Sequence, residues 1–197
     1  MAKVLIIHGW GNRRLPEHWQ HRLAIALRQG GHQVWYPQLP ATDEPVYADW
    51  SEVVLAELAQ TAEVEGGETI VIAHSLGCVT WLKLALEKRV PFVVDRLLLV
   101  APADTSLLAQ VPTFEYELRG NAALEPAVKA SARSVGVVGS DEDPWAPRGV
   151  QETFGVALGV DALLIEGAKH LSLPDGWGPW QGVIDWVNDP AADLTRR

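Results

Sequence analysis

Short apolar segments alternate with amphipathic segments along nearly the whole chain. The apolar segments are apolar at almost every position, as in the run VLII that begins at Val4. Strands of this kind are covered on both faces, which is typical of a parallel sheet between two helical layers. The predicted strands are residues 3–7, 34–36, 68–73, 95–100, 133–138 and 161–165. The predicted helices are residues 16–29, 46–62, 76–88, 147–158 and 178–188.

No internal repeat, low-complexity tract or linker divides the chain. Residues 1–190 are therefore predicted to form one α/β domain, with about six mainly parallel strands and helices on both faces. The stretch between residues 102 and 132 has no regular pattern. Residues 191–197 form a polar C-terminal tail that is expected to fray.

Composition narrows the class of protein. The chain has 197 residues, 48% of them apolar and 21% charged, as in an ordinary globular domain. Its net charge of −9 argues against nucleic acid as a partner, because phosphate binding needs a basic face. The one cysteine, Cys78, excludes an intramolecular disulfide and a cysteine-based zinc site. No segment resembles a signal peptide or a membrane span, so we expect no membrane association and a cytoplasmic location.

A candidate nucleophile follows the third predicted strand, in the sequence Ala73-His74-Ser75-Leu76-Gly77. This sequence is similar to the G-x-S-x-G turn, which presents a reactive serine between a strand and a helix. Positions two before and two after the serine must be small, and alanine in place of the first glycine keeps that requirement. The alternative is that Ser75 only caps the following helix. His74 is expected to point away from the serine as a structural neighbour.

A base and a carboxylate are expected further along the chain, in the order serine, acid, histidine. His170 is the only histidine after residue 74, and it follows the sixth predicted strand. Asp141, Glu142 and Asp143 follow the fifth. Asp143 is favoured because the prolines at 144 and 147 would hold its turn rigid, whereas Asp141 suits a capping role. The alternative for His170 is a solvated loop histidine.

An oxyanion site is expected at the end of the first strand. Acyl transfer places negative charge on the carbonyl oxygen, and backbone N–H groups must point at that oxygen beforehand. The amide of Leu76 is one predicted donor and the amide of Trp10 is the other. Gly9 and Gly11 allow the backbone to turn inward there. The alternative is an ordinary glycine-rich turn.

Taken together, these motifs resemble those of the YdeN-like hydrolases, which include the retinoblastoma-binding serine hydrolases. The likeness covers nearly the full length and lies in HGWG from His8, AHSLG around Ser75, SDEDPW from Ser140 and the late His170. In that family the triad carboxylate directly precedes a proline, the position of Asp143 here. The resemblance implies a three-layer α/β-hydrolase fold without a large lid domain, and a serine hydrolase directed at carboxylic esters.

The predicted reaction is cleavage of a small carboxylic ester or related acyl compound through Ser75, His170 and Asp143, with an acyl-enzyme intermediate. This reaction needs neither a metal nor an organic cofactor, and its partner is a small-molecule substrate. Two alternatives stay open: a triad-retaining protein-interaction module with little turnover, and an amide or thioester hydrolase.

Three tryptophans close to the predicted catalytic residues are candidates for a substrate pocket. Trp10, Trp145 and Trp177 are predicted to form an aromatic wall, and ordinary loop packing is the alternative. Residues 102–125 are predicted to form a short flap over the site. Cys78, three residues past the serine, is expected to be packed and inert.

Overall fold

The computed structural model describes residues 1–118 and 120–197. In these residues the strands are β1 (Lys3–Ile7), β2 (Gln33–Trp35), β3 (Thr69–His74), β4 (Val94–Val100), β5 (Ala132–Gly139) and β6 (Leu163–Leu164). They form one sheet in the order β2-β1-β3-β4-β5-β6, and every neighbouring pair is parallel. The mainly parallel sheet predicted from the apolar segments is confirmed.

Helices cover both faces of the sheet. Over the same described residues they are α1 (Trp19–Gln29), α2 (Tyr47–Ala62), α3 (Leu76–Leu86), α4 (Leu124–Ser131), α5 (Val156–Leu158) and α6 (Gln181–Asn188). Successive strand residues point into two separate apolar clusters. Leu5 and Ile7 pack with α2, α3, α4 and α5, whereas Val4 and Ile6 pack with α1 and α6. The predicted three-layer architecture is therefore confirmed.

Several element limits differ from the prediction for local reasons. Helix α1 begins at Trp19 rather than at Pro16, because the side chain of His18 caps the helix by accepting a hydrogen bond from the amide of Gln20. Helix α4 lies in the stretch for which no element was predicted. The helix predicted from residue 147 starts later, after Gly149 turns the chain at a φ of 86°, and opens with a π-helical turn at Gln151–Gly155.

The C-terminal tail packs against the domain instead of fraying. Leu194 is buried, and its carbonyl accepts a hydrogen bond of 2.8 Å from the indole of Trp180. The amide of Gly182 in α6 donates to the carbonyl of Arg196, also at 2.8 Å. A polar composition therefore did not exclude order, because the backbone carbonyls of the tail serve as acceptors for α6.

The carboxyl ends of the parallel strands meet at one edge of the sheet. This arrangement brings together the segments that follow β1, β3, β5 and β6, which hold the predicted site residues. In the described residues, no helix combines the length and the apolar character that a membrane span requires.

Candidate active site

Ser75 lies on a strained turn between β3 and α3. Its φ of 55° and ψ of −122° fall in a region that favours glycine. Such a conformation costs about 1–3 kcal/mol and persists only where the surroundings impose it. The amide of Ser75 donates a hydrogen bond of 3.0 Å to the carbonyl of Val100 in β4, which helps to fix the turn.

The strain at residue 75 predicts a difference in stability between two inactive variants. Ser75→Ala keeps a side chain in the unfavourable region, whereas Ser75→Gly relieves it and adds some entropy to the unfolded chain. We expect Ser75→Gly to be the more stable by about 1 kcal/mol, the strain outweighing the entropy. Urea unfolding of the two proteins measures this difference. Equal free energies of unfolding would show that the strain at this turn is no larger than the entropic cost of the glycine, contrary to this expectation.

Small residues allow β1 and α3 to pass close to each other at this turn. A Cβ atom at Gly77 would lie 2.7 Å from the carbonyl oxygen of His8, and one at Gly9 would lie 2.7 Å from the Cβ of Ser75. Ala73 is fully buried. The requirement for small residues beside the serine, inferred from the sequence motif, thus has a direct geometric cause.

Three side chains from different loops form one hydrogen-bonded line. The Nε2 of His170 lies 2.7 Å from the Oγ of Ser75, and its Nδ1 lies 2.9 Å from both carboxylate oxygens of Asp143. The carboxylate is buried, and the amide of Trp145 also donates to it at 2.9 Å. Because a carboxylate only accepts, the proton of the neutral imidazole resides on Nδ1, and Nε2 faces the serine hydroxyl as an acceptor.

Asp141 is directed elsewhere. Its Oδ1 accepts hydrogen bonds from the amide of Gly167 at 2.8 Å and from the hydroxyl of Ser140 at 3.1 Å. The hydrogen bond from Gly167 lowers the pKa of this exposed carboxyl. Asp141 therefore ties the loop after β5 to the loop after β6, while Asp143 is the carboxylate that contacts His170.

The backbone around His170 is unusual. Lys169 and Leu171 both have positive φ values, 51° and 48°, so the two residues flanking the histidine adopt left-handed conformations. The Nε2–H of His74 donates a hydrogen bond of 3.0 Å to the carbonyl of His170. Burial holds the pKa of His74 well below its usual range, so this donor is neutral. His74 thus uses its one N–H group on the loop of His170, and it supports that loop.

Two indoles hold the same loop. Trp19 donates to the carbonyl of Leu171 at 2.9 Å, and Trp177 donates to the carbonyl of Ala168 at 3.0 Å. Trp177 is buried and packs edge-on against Trp180, with ring centroids 5.1 Å apart. The structure does not bring Trp177 to the cavity, because its indole N–H is used by the loop backbone and its ring belongs to the core.

Ser75 opens into a cavity of about 800 Å³ at the carboxyl edge of the sheet. The rings of Trp10 and Trp145 line it, with centroids 6.2 Å apart, and the ring of Trp145 lies 6.1 Å from that of His170. Leu108 adds an aliphatic surface. Two of the three tryptophans expected to form a pocket wall therefore line the cavity that contains Ser75.

Residues 102–125 divide between the cavity and the core. Ala103, Leu108 and Gln110 line the cavity, so the first part of the segment borders the site. Phe114 is fully buried, and its ring packs edge-on against Trp50 at 5.3 Å. Residue 119, within the predicted flap, lies outside the described residues.

The loop after β1 is held in place around the Trp10 amide. The Nδ1–H of His8 donates to the carbonyl of Gly9 at 2.9 Å, and its Nε2 accepts from the amide of Leu39 at 2.9 Å. Burial lowers the pKa of His8 to about 4, so the ring stays neutral near pH 7. Because the peptide bond is planar and trans, fixing the Gly9 carbonyl also fixes the direction of the Trp10 N–H.

Contacts from a neighbouring loop fix the Trp10 loop further. The amide of Gly11 donates to the carbonyl of Thr42, and the indole of Trp10 donates to the carbonyl of Asp43, both at 2.9 Å. On the other side of the serine, Leu76 is the first residue of α3 and lines the same cavity. The first amides of a helix have no acceptor within the helix. The two residues whose amides are predicted to bind an oxyanion therefore both line the cavity that contains Ser75.

Cys78 lies in the first turn of α3 and is fully buried. Its Sγ donates to the carbonyl of Ala73 at 3.2 Å, and burial raises the pKa of the thiol. This environment keeps the thiol protonated. In the described part of the chain, no group of three or more histidine, cysteine or acidic side chains has the geometry of a metal site.

Comparison with known proteins gives the family. A family model described as serine hydrolase matches residues 4–189. No curated protein matches the sequence. The fold is similar to that of the ydeN gene product from B. subtilis, with 19% identity, a TM-score of 0.78, and coverage of 95% of this chain and 97% of that one.

Two further solved structures are similar. A protein from Pectobacterium atrosepticum described as a YdeN-like hydrolase has 16% identity and a TM-score of 0.67, with 95% of this chain and 90% of that chain covered. Mouse alpha/beta hydrolase domain-containing protein 10 has 17% identity and a TM-score of 0.60, with 95% and 88% covered. At these identities the likeness establishes an α/β-hydrolase fold. Because the family model spans most of the sequence, the chain belongs to the serine hydrolase family, as its motifs predict.

Proposed function

We propose that this serine hydrolase cleaves small carboxylic esters, with Ser75 as nucleophile, His170 as general base and acid, and Asp143 as the group that orients His170. The observation that carries the proposal is the continuous line of hydrogen bonds, 2.7 Å from serine to imidazole and 2.9 Å from imidazole to the buried carboxylate. Serine is a weak nucleophile until an adjacent base accepts its proton, and this line supplies that base.

The reaction follows from the geometry. The Oγ of Ser75 attacks the carbonyl carbon while the Nε2 of His170 accepts the hydroxyl proton. The amides of Trp10 and Leu76 donate to the oxyanion. As the C–O bond of the ester breaks, the imidazolium gives its proton to the departing alcohol, which leaves an acyl group on Ser75. Water then attacks the acyl-enzyme, His170 accepts its proton, and the carboxylic acid departs as the serine is protonated again.

The character of the cavity supports a substrate that carries no positive charge and has an apolar acyl group. The rings of Trp10 and Trp145 and the side chain of Leu108 offer an apolar surface beside the serine. The described residues that line the cavity include no carboxylate, although the chain carries a net charge of −9. A cationic substrate would find no counterion there. Because the surface formed by Trp10 and Trp145 is apolar, we place the acyl chain of the substrate against these two rings.

Covalent labelling with a fluorophosphonate tests the nucleophile. We expect one adduct per chain, which peptide mass spectrometry maps to Ser75, because among the described residues this is the serine with an adjacent base and two candidate oxyanion donors. Ser172→Ala is the matched control, since Ser172 also lines the cavity but donates its hydroxyl to Asp175 at 2.6 Å. Ser172→Ala should label like the wild type, and Ser75→Ala should not label.

Two results would contradict the proposal. An adduct on another residue would remove Ser75 as the nucleophile. Labelling of Ser75 in a protein that turns over no p-nitrophenyl ester would favour the interaction-module alternative over hydrolysis.

A further inference from the structure

A second histidine borders the cavity and takes no part in the mechanism described above. His18 is the N-cap residue of α1, and its ring lines the cavity that contains Ser75. The residue is 6% exposed, so most of the ring is enclosed by protein. What this ring could bind depends on which ring nitrogen faces the cavity and on whether that nitrogen carries a proton.

The contacts of His18 determine the position of its proton. The Nδ1 accepts a hydrogen bond of 3.2 Å from the amide of Gln20, which is one of the free amides at the start of α1. Burial, with a smaller contribution from His8, lowers the pKa of His18 to about 4, so the ring is neutral near pH 7. A neutral ring whose Nδ1 accepts must carry its proton on Nε2.

The Nε2–H group of His18 is free to bind a ligand. It has no hydrogen-bond partner among the described residues, and it is not one of the polar atoms sealed inside the protein. The Nδ1 of His74, by contrast, is completely buried and also has no hydrogen-bond partner among the described residues. The His18 donor is therefore accessible from the cavity that the ring lines.

Three other polar side chains of the cavity lining make hydrogen bonds or ion pairs within the protein. Asn12 donates to the side chain of Gln20 at 3.1 Å, Arg13 pairs with Asp43, and Ser172 donates to Asp175. Unlike these side chains, His18 donates no side-chain hydrogen bond to any of the described residues.

A chain of ring contacts links His18 to the side of the site on which the imidazole of His170 lies. The rings of His18 and His74 are 5.8 Å apart, and the rings of His74 and His170 are 5.2 Å apart. Helix α1 is attached to the loop of His170 through the indole of Trp19, which donates to Leu171. Because His170 must protonate the departing alcohol, the alcohol part of the ester lies on this side.

We propose that the Nε2–H of His18 binds a second oxygen in the alcohol part of the substrate, so that the preferred substrates are esters of ether-containing or hydroxyl-containing alcohols. The inference rests on the proposed ester hydrolysis and specifies its substrate class. A buried donor left unpaired discriminates against a ligand that lacks the matching acceptor.

A pair of esters of equal shape tests the proposal. Butyl butyrate and 2-methoxyethyl butyrate differ by one CH₂ group replaced by oxygen in the alcohol part. After division by the rate constants of alkaline hydrolysis, kcat/KM of the wild type should favour the methoxyethyl ester by about five- to tenfold, the value of one neutral hydrogen bond. A wild type without this preference would overturn the proposal before any variant is made.

Two variants separate the donor from the helix cap. His18→Ser and His18→Asn both place a good N-cap residue at α1, and neither side chain reaches as far as the imidazole. Each should remove most of the preference while changing kcat/KM for butyl butyrate by a smaller factor. If kcat/KM fell equally for both esters, the role of His18 would be structural and the proposal would be overturned.

Two controls complete the experiment. Butyl methoxyacetate carries the extra oxygen in the acyl part, and a loss specific to this ester would overturn the assignment to the alcohol. Ser75→Ala separates the two proposals. Full activity of this variant would contradict the proposed triad. Loss of its activity, together with unchanged selectivity in the His18 variants, would contradict only the proposed role of His18.

Discussion

Ser75→Ala is expected to lower kcat/KM for p-nitrophenyl butyrate by about a million-fold, the scale of loss when the nucleophile of such a triad is removed. The alanine keeps the backbone turn and leaves His170 hydrogen-bonded to Asp143, so the loss would come from the missing hydroxyl. Residual hydrolysis above the rate in water, by about 10³- to 10⁴-fold, is expected from the oxyanion donors and substrate binding. Steady-state release of p-nitrophenolate measures both quantities.

The control for Ser75→Ala is the integrity of the fold. The variant should unfold in urea in a single transition, like the wild type, because the substitution removes one oxygen at the cavity surface. A loss of less than about a hundredfold in a fully folded variant would show that another group is the nucleophile, since the donors and binding alone do not replace covalent catalysis.

Asp143→Asn is expected to lower kcat by about 10⁴-fold. The amide of Trp145 donates to the Asp143 carboxylate, so the carbonyl oxygen of an asparagine would turn toward that donor and its NH₂ group toward His170. The imidazole would then have to accept at Nδ1 and carry its proton on Nε2. In that tautomer it donates to Ser75 and can no longer accept the serine proton.

Asp141→Asn provides the matched comparison, two residues away on the same loop. Its carboxylate is exposed and binds the amide of Gly167, 26 positions away in sequence, and it does not contact His170. We expect kcat to change by no more than about threefold, in line with a surface substitution away from the reacting atoms. A loss in Asp141→Asn as large as that in Asp143→Asn would show that the loop as a whole, and not the carboxylate at 143, is required.

The sheet was predictable because most of its strands contain long apolar runs without regular alternation. Residues such as Val4 and Leu5 point to opposite faces, and each face has its own helical layer, so the absence of alternation already indicated the three-layer arrangement. Helix α4 was missed because it is eight residues long, with Pro126 in its first turn, and its helical state depends on packing against α3 and α5. Such tertiary support leaves little trace in local periodicity.

The residues of the site were predictable where the topology restricts them. Ser75, Asp143 and His170 each follow a parallel strand, so one edge of the sheet had to bring their loops together. The direction of a side chain is not restricted in this way. Trp177 comes seven residues after His170 and was expected in the cavity, but its indole donates to Ala168 from the core.

The accessible donor of His18 was also missed, because it depends on which ring nitrogen caps α1. A sequence shows only that a histidine precedes an amphipathic segment. Histidine is not among the favoured N-cap residues. A histidine at the start of a helix was therefore the one sign in the sequence that His18 has a special role. The proton position follows only once the contact between Nδ1 and Gln20 is known.

The three ring N–H groups that hold the loop of His170 come from neutral side chains, two indoles and a buried imidazole. Ion pairs at a protein surface weaken as ionic strength rises, whereas hydrogen bonds between neutral buried groups are little affected by screening. The alignment of the base with the serine should therefore persist in concentrated salt, a condition under which surface pairs such as Arg13 with Asp43 contribute little.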